Sequence, residues 1–413
     1  MNQNFTTLTP STMKKIHPNF NTNKELGEYL LNCVGSTLKQ AIKVTVETLL
    51  KAEMAQLREE LQEKTEEREK LYFNGYYPRH LVSPLGQVRD VAVPRLRGGN
   101  EEADLKGLGL FEGEKERFYE LLAGLHLRGL SQGKVRQLCD EYFGQRVSKK
   151  KVGEVYAELV EKEEYRINEQ PLDDDFVFLL VDGIWEKVRS LRLDGETNKM
   201  VLLCVLGIRK DGSRKILGFR MGKQEDHKSW LKLLESVKGR GLKGGNLQLI
   251  ISDGAEGGLN ALDEIYPDVK IQLCLSHKAR NVISKANHKC KKEVGADFSA
   301  IYNAENFEEA KKLCAEFEKK WFVRAEACVR SLKHRFGMYF TFFEFPRELW
   351  KVIRTTNILE REFREVRRRT RVFDNYFQSP ESADRYHNGI FTYLNNHYSR
   401  KNSLAPLFEK ITH

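Results

Sequence analysis

Two apolar runs, each followed by an aspartate and a glycine, constrain the fold of this chain more strongly than any other feature. Residues 176–181 read Phe-Val-Phe-Leu-Leu-Val and precede Asp182-Gly183, and residues 247–251 precede Ser252-Asp253-Gly254. A continuous apolar strand is typical of a sheet that helices cover on both faces. The two runs therefore predict an α/β region in which each aspartate follows a buried strand.

The order of the elements around these runs narrows the architecture. We predict three strands of antiparallel type, then a helix, a strand, a helix and a strand, which is the order of a ribonuclease-H-like core with a mixed sheet. In that order the first and fourth strands lie side by side. The predicted strands are Phe176–Val181, Met200–Gly207, Lys215–Met221, Leu247–Ile251 and Val269–Leu275, and the helices lie around Trp230–Val237 and Leu259–Ile265.

The rest of the chain is divided by changes in pattern. Charged helical stretches within 284–345, including Phe307–Trp321 and Arg324–Phe336, are too long for a loop and predict an inserted helical subdomain. Upstream, Leu50–Leu61 predicts a helix, Asn74-Gly75 a turn and Gln87–Pro94 a short strand pair. The expected segments are a helical region for dimerisation or end binding (1–73, with 1–22 loosely ordered), a small β-containing module (74–112), a helix-turn-helix domain (113–168), the first segment of the catalytic core (169–283), the helical insertion (284–345), and the second segment of the core with C-terminal helices (346–413).

Residues 113–168 have the spacing of a helix-turn-helix. Three predicted helices are separated by short turns, and Ser131 is a plausible N-cap of the second. The third opens with Lys149, Lys150 and Lys151, where a recognition helix meets DNA phosphates. The alternative is a three-helix spacer whose lysines are merely solvated. The predicted helices are Phe118–Leu127, Lys134–Tyr142 and Lys149–Glu161.

Composition favours a nucleic-acid partner and excludes a membrane protein. The chain has 69 basic and 59 acidic residues, a net charge of +10, which favours a polyanionic partner. No run of about 18 apolar residues is present, and the first 22 residues resemble no secretory signal. The seven cysteines form no even framework, which suits a reducing compartment, so we expect a cytoplasmic, nucleoid-associated protein.

Three carboxylates are candidates for metal-dependent chemistry. Asp182 and Asp253 should meet where adjacent strands end, and two carboxylates there repel each other unless a cation such as Mg²⁺ neutralises them. Each Asp-Gly alone is equally explained as a turn. Glu360 lies in the first turn of a helix predicted over Thr355–Arg371, capped by Thr356 or Asn357.

Such carboxylates would hold two ions about 4 Å apart, which activate a water or a 3′-hydroxyl against a phosphodiester. Arg367 lies two turns beyond Glu360 on the same face and is placed to hold a phosphate. The competing interpretation of this arginine-rich helix is an exposed surface laced with ion pairs. No phosphate-loop glycine motif occurs, which excludes ATP-driven chemistry by that device.

Cys274 and His277 form a Cys-x-x-His element that admits a zinc interpretation together with His288 and Cys290. Structural zinc sites use two well-spaced ligand pairs, and His-x-Cys does not provide one. The favoured alternative is that Cys274 packs beneath the sheet while His277 faces the cleft, where it touches a phosphate or orients a carboxylate.

Four motifs in order resemble the Mutator-type transposases of bacterial insertion sequences, the insertion sequence 256 family. They are Asp182-Gly-Ile-Trp-Glu-Lys-Val-Arg189, Ser252-Asp-Gly254, Cys274-Leu-Ser-His-Lys-Ala-Arg-Asn281 and Thr355-Thr-Asn-Ile-Leu-Glu360. The resemblance spans roughly residues 74–395. The charged pair Arg361-Glu362 departs from the less charged pair expected after the glutamate.

The resemblance implies a DDE triad of Asp182, Asp253 and Glu360 that binds two Mg²⁺ ions, with Mn²⁺ as a substitute. It implies a transposase that binds terminal inverted repeats and joins DNA strands to target DNA as a homodimer or larger homo-oligomer. The alternatives are a catalytically silent DNA-binding relative and a nuclease that cuts without joining. The residues expected at the DNA surface are Lys149, Lys150, Lys151, His277, Lys278, Arg280, Arg364, Arg367 and Arg368.

Overall fold

A computed structural model describes residues 23–64, 72–83, 86–97, 105–143, 145–162, 166–189, 197–371, 377, 379–400 and 404–412. The predicted loose segment 1–22 lies outside these residues. The chain divides into an N-terminal unit, reaching Tyr119 and including Gln137–Val147, and a C-terminal unit of Glu120–Arg136 and the residues from Ser148 onward. Among the described helices, none combines the length and the apolar character that a membrane crossing requires.

The N-terminal unit packs a long helix, α1 (Asn23–Lys64), on an antiparallel hairpin of β1 (Tyr72–Ser83) and β2 (Gly86–Arg97). The predicted turn at Asn74-Gly75 is instead an irregularity inside β1, where the pairing register shifts between Phe73 and Tyr76. Gly75 has φ +73°, which a residue with a side chain rarely adopts. The buried core consists of Val46, Leu50, Met54, Leu81, Val88, Val91, Val93 and Leu105.

Three helices follow; the second and third lie close to the predicted bounds, whereas the first begins at Lys106 and not at Phe118. They are α2 (Lys106–Leu127), α3 (Gln132–Phe143) and α4 (Lys149–Val160). The Ser131 hydroxyl accepts from the Lys134 amide at 3.2 Å, which confirms the predicted cap. The Ser148 hydroxyl caps α4 in the same way, accepting from the Lys151 amide at 3.0 Å. The boundary between the two units passes through α2 and α3.

The C-terminal unit is built on a five-stranded mixed sheet in the order β5-β4-β3-β6-β7. The hairpin strands β3, β4 and β5 are antiparallel, whereas β6 and β7 run parallel to β3. The prediction that the first and fourth strands lie side by side is confirmed. The strands are β3 (Phe176–Arg189), β4 (Thr197–Arg209), β5 (Arg214–Gly222), β6 (Leu249–Ser252) and β7 (Lys270–Leu273).

Strand β3 is longer than predicted, and its extension creates the site described below. It pairs with β6 only from Phe178 to Val181, after which it continues with β4 alone as far as Arg189. The sequence prediction stopped at Val181 because the apolar run stops there. Asp182 is therefore the first residue of β3 beyond the stretch that pairs with β6. From this point on, one side of β3 has no neighbouring strand among the described residues, although β3 is the central strand of the sheet.

Helices cover both faces of the sheet, as the apolar strands predicted. On one face, α5 (His227–Gly239) and α6 (Glu256–Ile265) bury a cluster that includes Trp230, Leu234 and Val181. The other face contacts α12 (Asn357–Thr370), α13 (Pro380–Arg400) and α14 (Ala405–Thr412). Asp182 belongs to the second face, because it lies in one cross-strand row with Phe219, which packs on Phe391 of α13.

A series of helices begins with α7 (Leu275–Ser284) directly after β7, before residue 284, where the helical insertion was predicted to start. It continues through α8 (Lys291–Tyr302), α9 (Phe307–Trp321) and α10 (Glu326–Lys333), followed by three 3₁₀ turns and α11 (Trp350–Ile353). The bounds predicted for α9 are confirmed, while the helix predicted over Arg324–Phe336 is shorter. It ends at Lys333 because His334 takes an extended conformation, with ψ 116°, and Arg335 then takes the left-handed conformation, with φ 55°.

Candidate active site

A cleft of about 530 Å³ opens where β3, α7 and α12 meet. Asp182 contributes from β3, His277 and Arg280 from α7, and Glu360 from α12. Backbone bonds join these elements: the Leu275 amide donates to the Arg354 carbonyl at 3.0 Å, so the start of α7 is fixed against the chain that enters α12. Two of the three predicted carboxylates therefore share one cleft.

Asp182 is the most deeply buried acid of the cleft, with 4% of its surface exposed. Its Oδ1 accepts a hydrogen bond from the Gly183 amide at 2.8 Å. Burial, and next the negative charge of Asp253, raise the pKa of Asp182 to about 7. A cation beside the two carboxylates removes both the desolvation cost and the repulsion.

Asp253 follows the last residue of β6, Ser252, which pairs with Val181 at the end of the parallel stretch of β3. Asp253 and Asp182 are therefore the next residues after the same pair. Its Oδ1 accepts from the Ala255 amide at 3.0 Å, and Gly254 turns the chain with φ +94°. Asp253 does not line the cleft itself, but its charge acts on the pKa of Asp182. The turn role and the charge role of this aspartate coexist.

Glu360 lies in the first turn of α12, as predicted, and its side chain is 29% exposed. Thr356 is the N-cap residue of α12, as predicted, but its side chain forms no capping hydrogen bond. Its hydroxyl and amide donate instead to the Cys274 sulfur, at 3.4 and 3.3 Å. Arg280 donates to both carboxylate oxygens of Glu360, at 2.9 and 3.2 Å. Glu360 is thus held on α7, and α7 in turn is held on the strand edge.

Cys274 lies beneath the cleft, fully buried, with its amide donating to the Ser252 carbonyl at 2.7 Å. Burial raises the pKa of the Cys274 thiol, but the bond and the charge of His277 outweigh it and set the pKa at about 7. Hydrogen bonding to Cys274 raises the pKa of His277 to about 9, against burial. The Nε2 atom of His277 lies 3.5 Å from Glu360 Oε1.

Cys274, His277 and Glu360 each offer a ligand atom, and these atoms lie within 4.8 Å of one another. Over the described ranges, no other group of three or more His, Cys, Asp or Glu residues has such spacing. The structure does not bring His288 or Cys290 to this group, so the four-ligand zinc interpretation is not supported. The three predicted carboxylates are also not gathered this closely, and Glu360 faces His277 and Arg280 instead.

Glu225 is a fourth carboxylate at the same edge, which sequence reasoning missed. Its Oε1 is buried without a hydrogen-bond partner in the described part of the chain, 3.3 Å from the point where a Cβ on Gly183 would lie. Burial, and next the charge of Asp253, raise its pKa. Little in the local pattern pointed to this residue, because Glu225 precedes the ordinary helix cap Asp226 with no motif around it.

By chemical type the donors at this edge suit a hard divalent cation, although their oxygen atoms do not all lie within 4.8 Å of one another. Asp182, Asp253 and Glu225 are oxygen donors whose charges oppose one another, and one Glu225 oxygen is buried without a partner among the described residues. Mg²⁺ and Mn²⁺ prefer carboxylate oxygen.

Arginines of α12 line the outer wall of the cleft. Arg361, Arg364 and Arg367 recur at helical spacing, are exposed and form no ion pair with any described residue. Arg368, also predicted to contact DNA, is exposed but donates to Glu365 at 3.0 and 3.2 Å and does not line the cleft. Of the three arginines predicted to face phosphate, Arg364 and Arg367 line the cleft, whereas Arg368 lies on the side of the helix that carries local ion pairs.

Three lysines predicted to contact DNA, Lys150, Lys151 and Lys278, do not lie on a free basic surface. Lys278 is buried and not exposed as predicted: it is 3% exposed, and its ammonium donates to the His334 carbonyl at 2.8 Å and lies over the Tyr339 ring. Burial lowers its pKa to about 8. On α4, Lys150 and Lys151 lie 3.6 and 3.7 Å from Glu154, as in the solvated-face alternative.

Comparisons with known proteins agree in pointing to one family. A family model described as transposase, Mutator family, matches residues 15–401. The chain is 30% identical over 342 residues to the transposase for insertion sequence element ISRM5 of Rhizobium meliloti strain 1021, covering 82% of this chain and 83% of the relative. It is 26% identical over 313 residues to the transposase for IS905 of Lactococcus lactis subsp. lactis strain IL1403, covering 76% and 77%.

Proposed function

Because the chain belongs to the Mutator family of transposases, we propose that it binds the terminal inverted repeats of an insertion sequence, cleaves DNA there and transfers the strand to target DNA. The observation that carries this proposal is the cleft shared by Asp182 and Glu360, which come from distant parts of the chain, with the charge of Asp253 acting on Asp182. We assign these three residues as the DDE triad on a ribonuclease-H-like core, which the order and direction of the strands support.

The triad would hold Mg²⁺, or Mn²⁺ in its place, and the bound ions would supply an activated oxygen nucleophile and a stabilised leaving oxygen. Asp182 and Asp253 would hold the ions from the strand edge, with Glu225 beside them. Glu360 is paired with the side chains of Arg280 and His277, which hold it against α7. Its carboxylate would reach the ions if Arg280 turned to a phosphate of the DNA instead.

The substrate backbone lies along the outer wall of the cleft. Arg364 and Arg367 project there without acidic partners in the described chain, and guanidinium groups match phosphate geometry. The half-buried His277, whose raised pKa favours its charged form, contacts the same phosphate or steadies Glu360. A homodimer or larger assembly would bring two such clefts to the two ends of the element.

The test is cleavage and joining of duplexes that carry the repeats flanking the gene, in Mg²⁺, by the full chain and by Asp182→Asn. The expected result is loss of both activities in the variant with repeat binding retained. Asp263→Asn is the matched control, since Asp263 is exposed on α6 and away from the cleft. Full activity of Asp182→Asn, or no activity of the unaltered chain on its own repeats, contradicts the proposal.

A further inference from the structure

A second basic cleft of about 590 Å³ lies on the α5 side of the sheet. Its walls carry Arg220 at the end of β5, Lys223 on the following loop, and Lys228 and Lys232 on α5. Among its described lining residues, Asp226 is the single acid. We propose that this cleft binds the phosphodiester backbone of the DNA that continues beyond the cleavage point, outside the inverted repeat. The inference rests on the proposed function and adds a surface to it.

The lysines of this cleft form no close ion pair within the described part of the protein, although Lys228 acts on the pKa of Asp226. Lys223, Lys228 and Lys232 are exposed, and none of them lies within 4 Å of an acidic group of any described residue. Asp226 is occupied as the N-cap of α5, where its Oδ1 accepts from the Ser229 amide at 2.8 Å. Arg220 also faces Asp384 of α13, so the three lysines carry the inference.

The position of Lys228 opposes the intrinsic preference of the helix. The first turn of α5 holds no acidic residue, although the positive end of a helix dipole favours acids there. Lys228 instead adds positive charge to that end, and Lys232 follows one turn later on the same face. Asp226, the N-cap, offsets part of this charge, since hydrogen bonding to Ser229 and, to a smaller extent, the charge of Lys228 lower the pKa of Asp226. One carboxylate that already caps the helix leaves the three lysines with an excess of positive charge that suits an anionic ligand.

The register of the sheet relates this cleft to the carboxylates. Arg220 pairs with Leu203, and Leu203 pairs with Gly183, the neighbour of Asp182. Adjacent strands are 4.7–4.9 Å apart, so Arg220 lies about 10 Å from Gly183, a span of two or three nucleotides. Glu225, which approaches Gly183, lies on the loop that also carries Lys223.

The carboxylates therefore lie between two basic surfaces on opposite faces of the sheet. Arg364 and Arg367 of α12 are on one side, and the lysines of α5 are on the other. DNA whose scissile phosphate lies at Asp182 must leave the arginine wall across the sheet edge, and the lysine cleft is the next basic surface on that route. The flank is continuous with the inverted repeat in the cleft, whereas target DNA is a separate molecule. We therefore assign the lysine cleft to the flank and not to target DNA.

The experiment compares Lys223→Gln/Lys228→Gln with the control Lys210→Gln/Lys243→Gln in the full chain. Lys210 and Lys243 are exposed lysines at the opposite end of the sheet, so the control changes net charge equally. Binding is measured by fluorescence anisotropy without divalent metal, so that no strand is cut. One duplex ends at the repeat terminus, and the other continues by about ten base pairs, one helical turn.

The expected result is binding to the flanked duplex that is on the order of tenfold weaker for the cleft variant, with the salt slope reduced by about two contacts. Binding to the unflanked duplex should stay within twofold, roughly, and the control should bind both like the unaltered chain. Equal loss on both duplexes, no loss on either, or a defect confined to joining into target DNA overturns the inference. An altered subunit number with unchanged DNA binding also overturns it and assigns the cleft to an interface.

If the unaltered chain shows no preference for its own repeats, the proposed function itself is wrong, and the assignment of the lysine cleft is wrong with it. If the unaltered chain cleaves at its repeats and the cleft variant binds the flanked duplex normally, only the lysine cleft is wrongly assigned.

Discussion

Helices α4 and α12 each carry a cluster of basic residues, yet the structure gives these cations different surroundings. In α4, Lys150 and Lys151 lie close to Glu154, on a surface exposed to solvent. In α12, Arg364 and Arg367 face a cleft that contains Asp182 and Glu360 and have no acidic partner among the described residues. Charge counts alone do not distinguish the two helices.

The difference shows that the position of a helix relative to the sheet decides what its charges can do. The buried face of α4 packs on α13, as in the bond from the Tyr156 hydroxyl to the Tyr386 carbonyl at 3.3 Å. The buried face of α12 packs beside β3 at the place where β3 loses its parallel neighbour. Of these two helices, α12 therefore brings its cations and an acid to an open strand edge, and α4 does not.

The largest effect should come from the acid of α12. We expect Glu360→Gln to lower the cleavage rate about a thousandfold, because a lost metal contact costs several kcal/mol in the transition state. Glu365→Gln, on the same helix but paired with Arg368 and Arg369, is the control and should retain most activity. Single-turnover cleavage measures both, and equal rates for the two variants would remove the distinction between the sides of α12.

Next in size is the loss of the cleft arginines. Arg364→Gln/Arg367→Gln keeps helix propensity but removes two charge-assisted contacts, so we expect DNA cleavage to fall about tenfold to a hundredfold. Arg368→Gln should change it little, since Arg368 is bound to Glu365. Cleavage measured against DNA concentration separates these cases, and a stronger effect from Arg368 would contradict the assignment of the cleft wall.

The affinity of the cleft for a divalent cation should depend on pH, which is not expected of the exposed surface of α4. The pKa of Asp182 is raised to about 7, so below that pH the carboxyl holds a proton that a cation must displace. Mn²⁺ affinity should therefore fall about tenfold per pH unit from about pH 7 down to pH 5. Calorimetry measures this, and a flat affinity would contradict it.

Cys274 needs a control in that experiment, because its pKa also lies at about 7. Cys274→Ala should keep the pH dependence of Mn²⁺ binding, whereas Asp182→Asn should remove it together with most of the affinity. If Cys274→Ala removes the pH dependence of Mn²⁺ binding and Asp182→Asn does not, the metal binds at the thiol. The difference between α4 and α12 would then not arise from the carboxylates at the edge of β3.

The smallest effect is expected on α4. Lys150→Gln/Lys151→Gln should weaken repeat binding by at most about fivefold, because exposed ion pairs already balance part of the charge. Anisotropy with a repeat duplex measures this. A loss larger than that of Arg364→Gln/Arg367→Gln would reverse the comparison and make α4 the dominant DNA contact.

Strand order and the helix that carries Glu360 were predictable because their patterns are local. Apolar runs ending in Asp-Gly indicated β3 and β6, and the periodic apolar face of α5 is found as predicted at Trp230, Leu233, Leu234 and Val237. The extension of β3 to Arg189 was not predictable, because pairing with β4 and not hydrophobicity sustains it.

Partners of polar side chains escaped prediction for the same reason. The burial of Lys278 depends on His334 and Tyr339, and the approach of Glu225 to Gly183 depends on the loop before α5. Neither contact has a sequence pattern, because the residues meet only through tertiary packing. The Cys-x-x-His spacing pointed to the correct place, while its contact with Thr356 and Glu360 required the fold.

The central claim is that the carboxylates at the edge of β3 bind the metal that the reaction needs. Crystals of the full chain soaked in Mn²⁺ and measured for anomalous scattering test this most directly, because the ion is located without reference to activity. We predict an anomalous peak between Asp182 and Asp253. A peak only at Cys274, His277 and Glu360, with none beside Asp182, would contradict it.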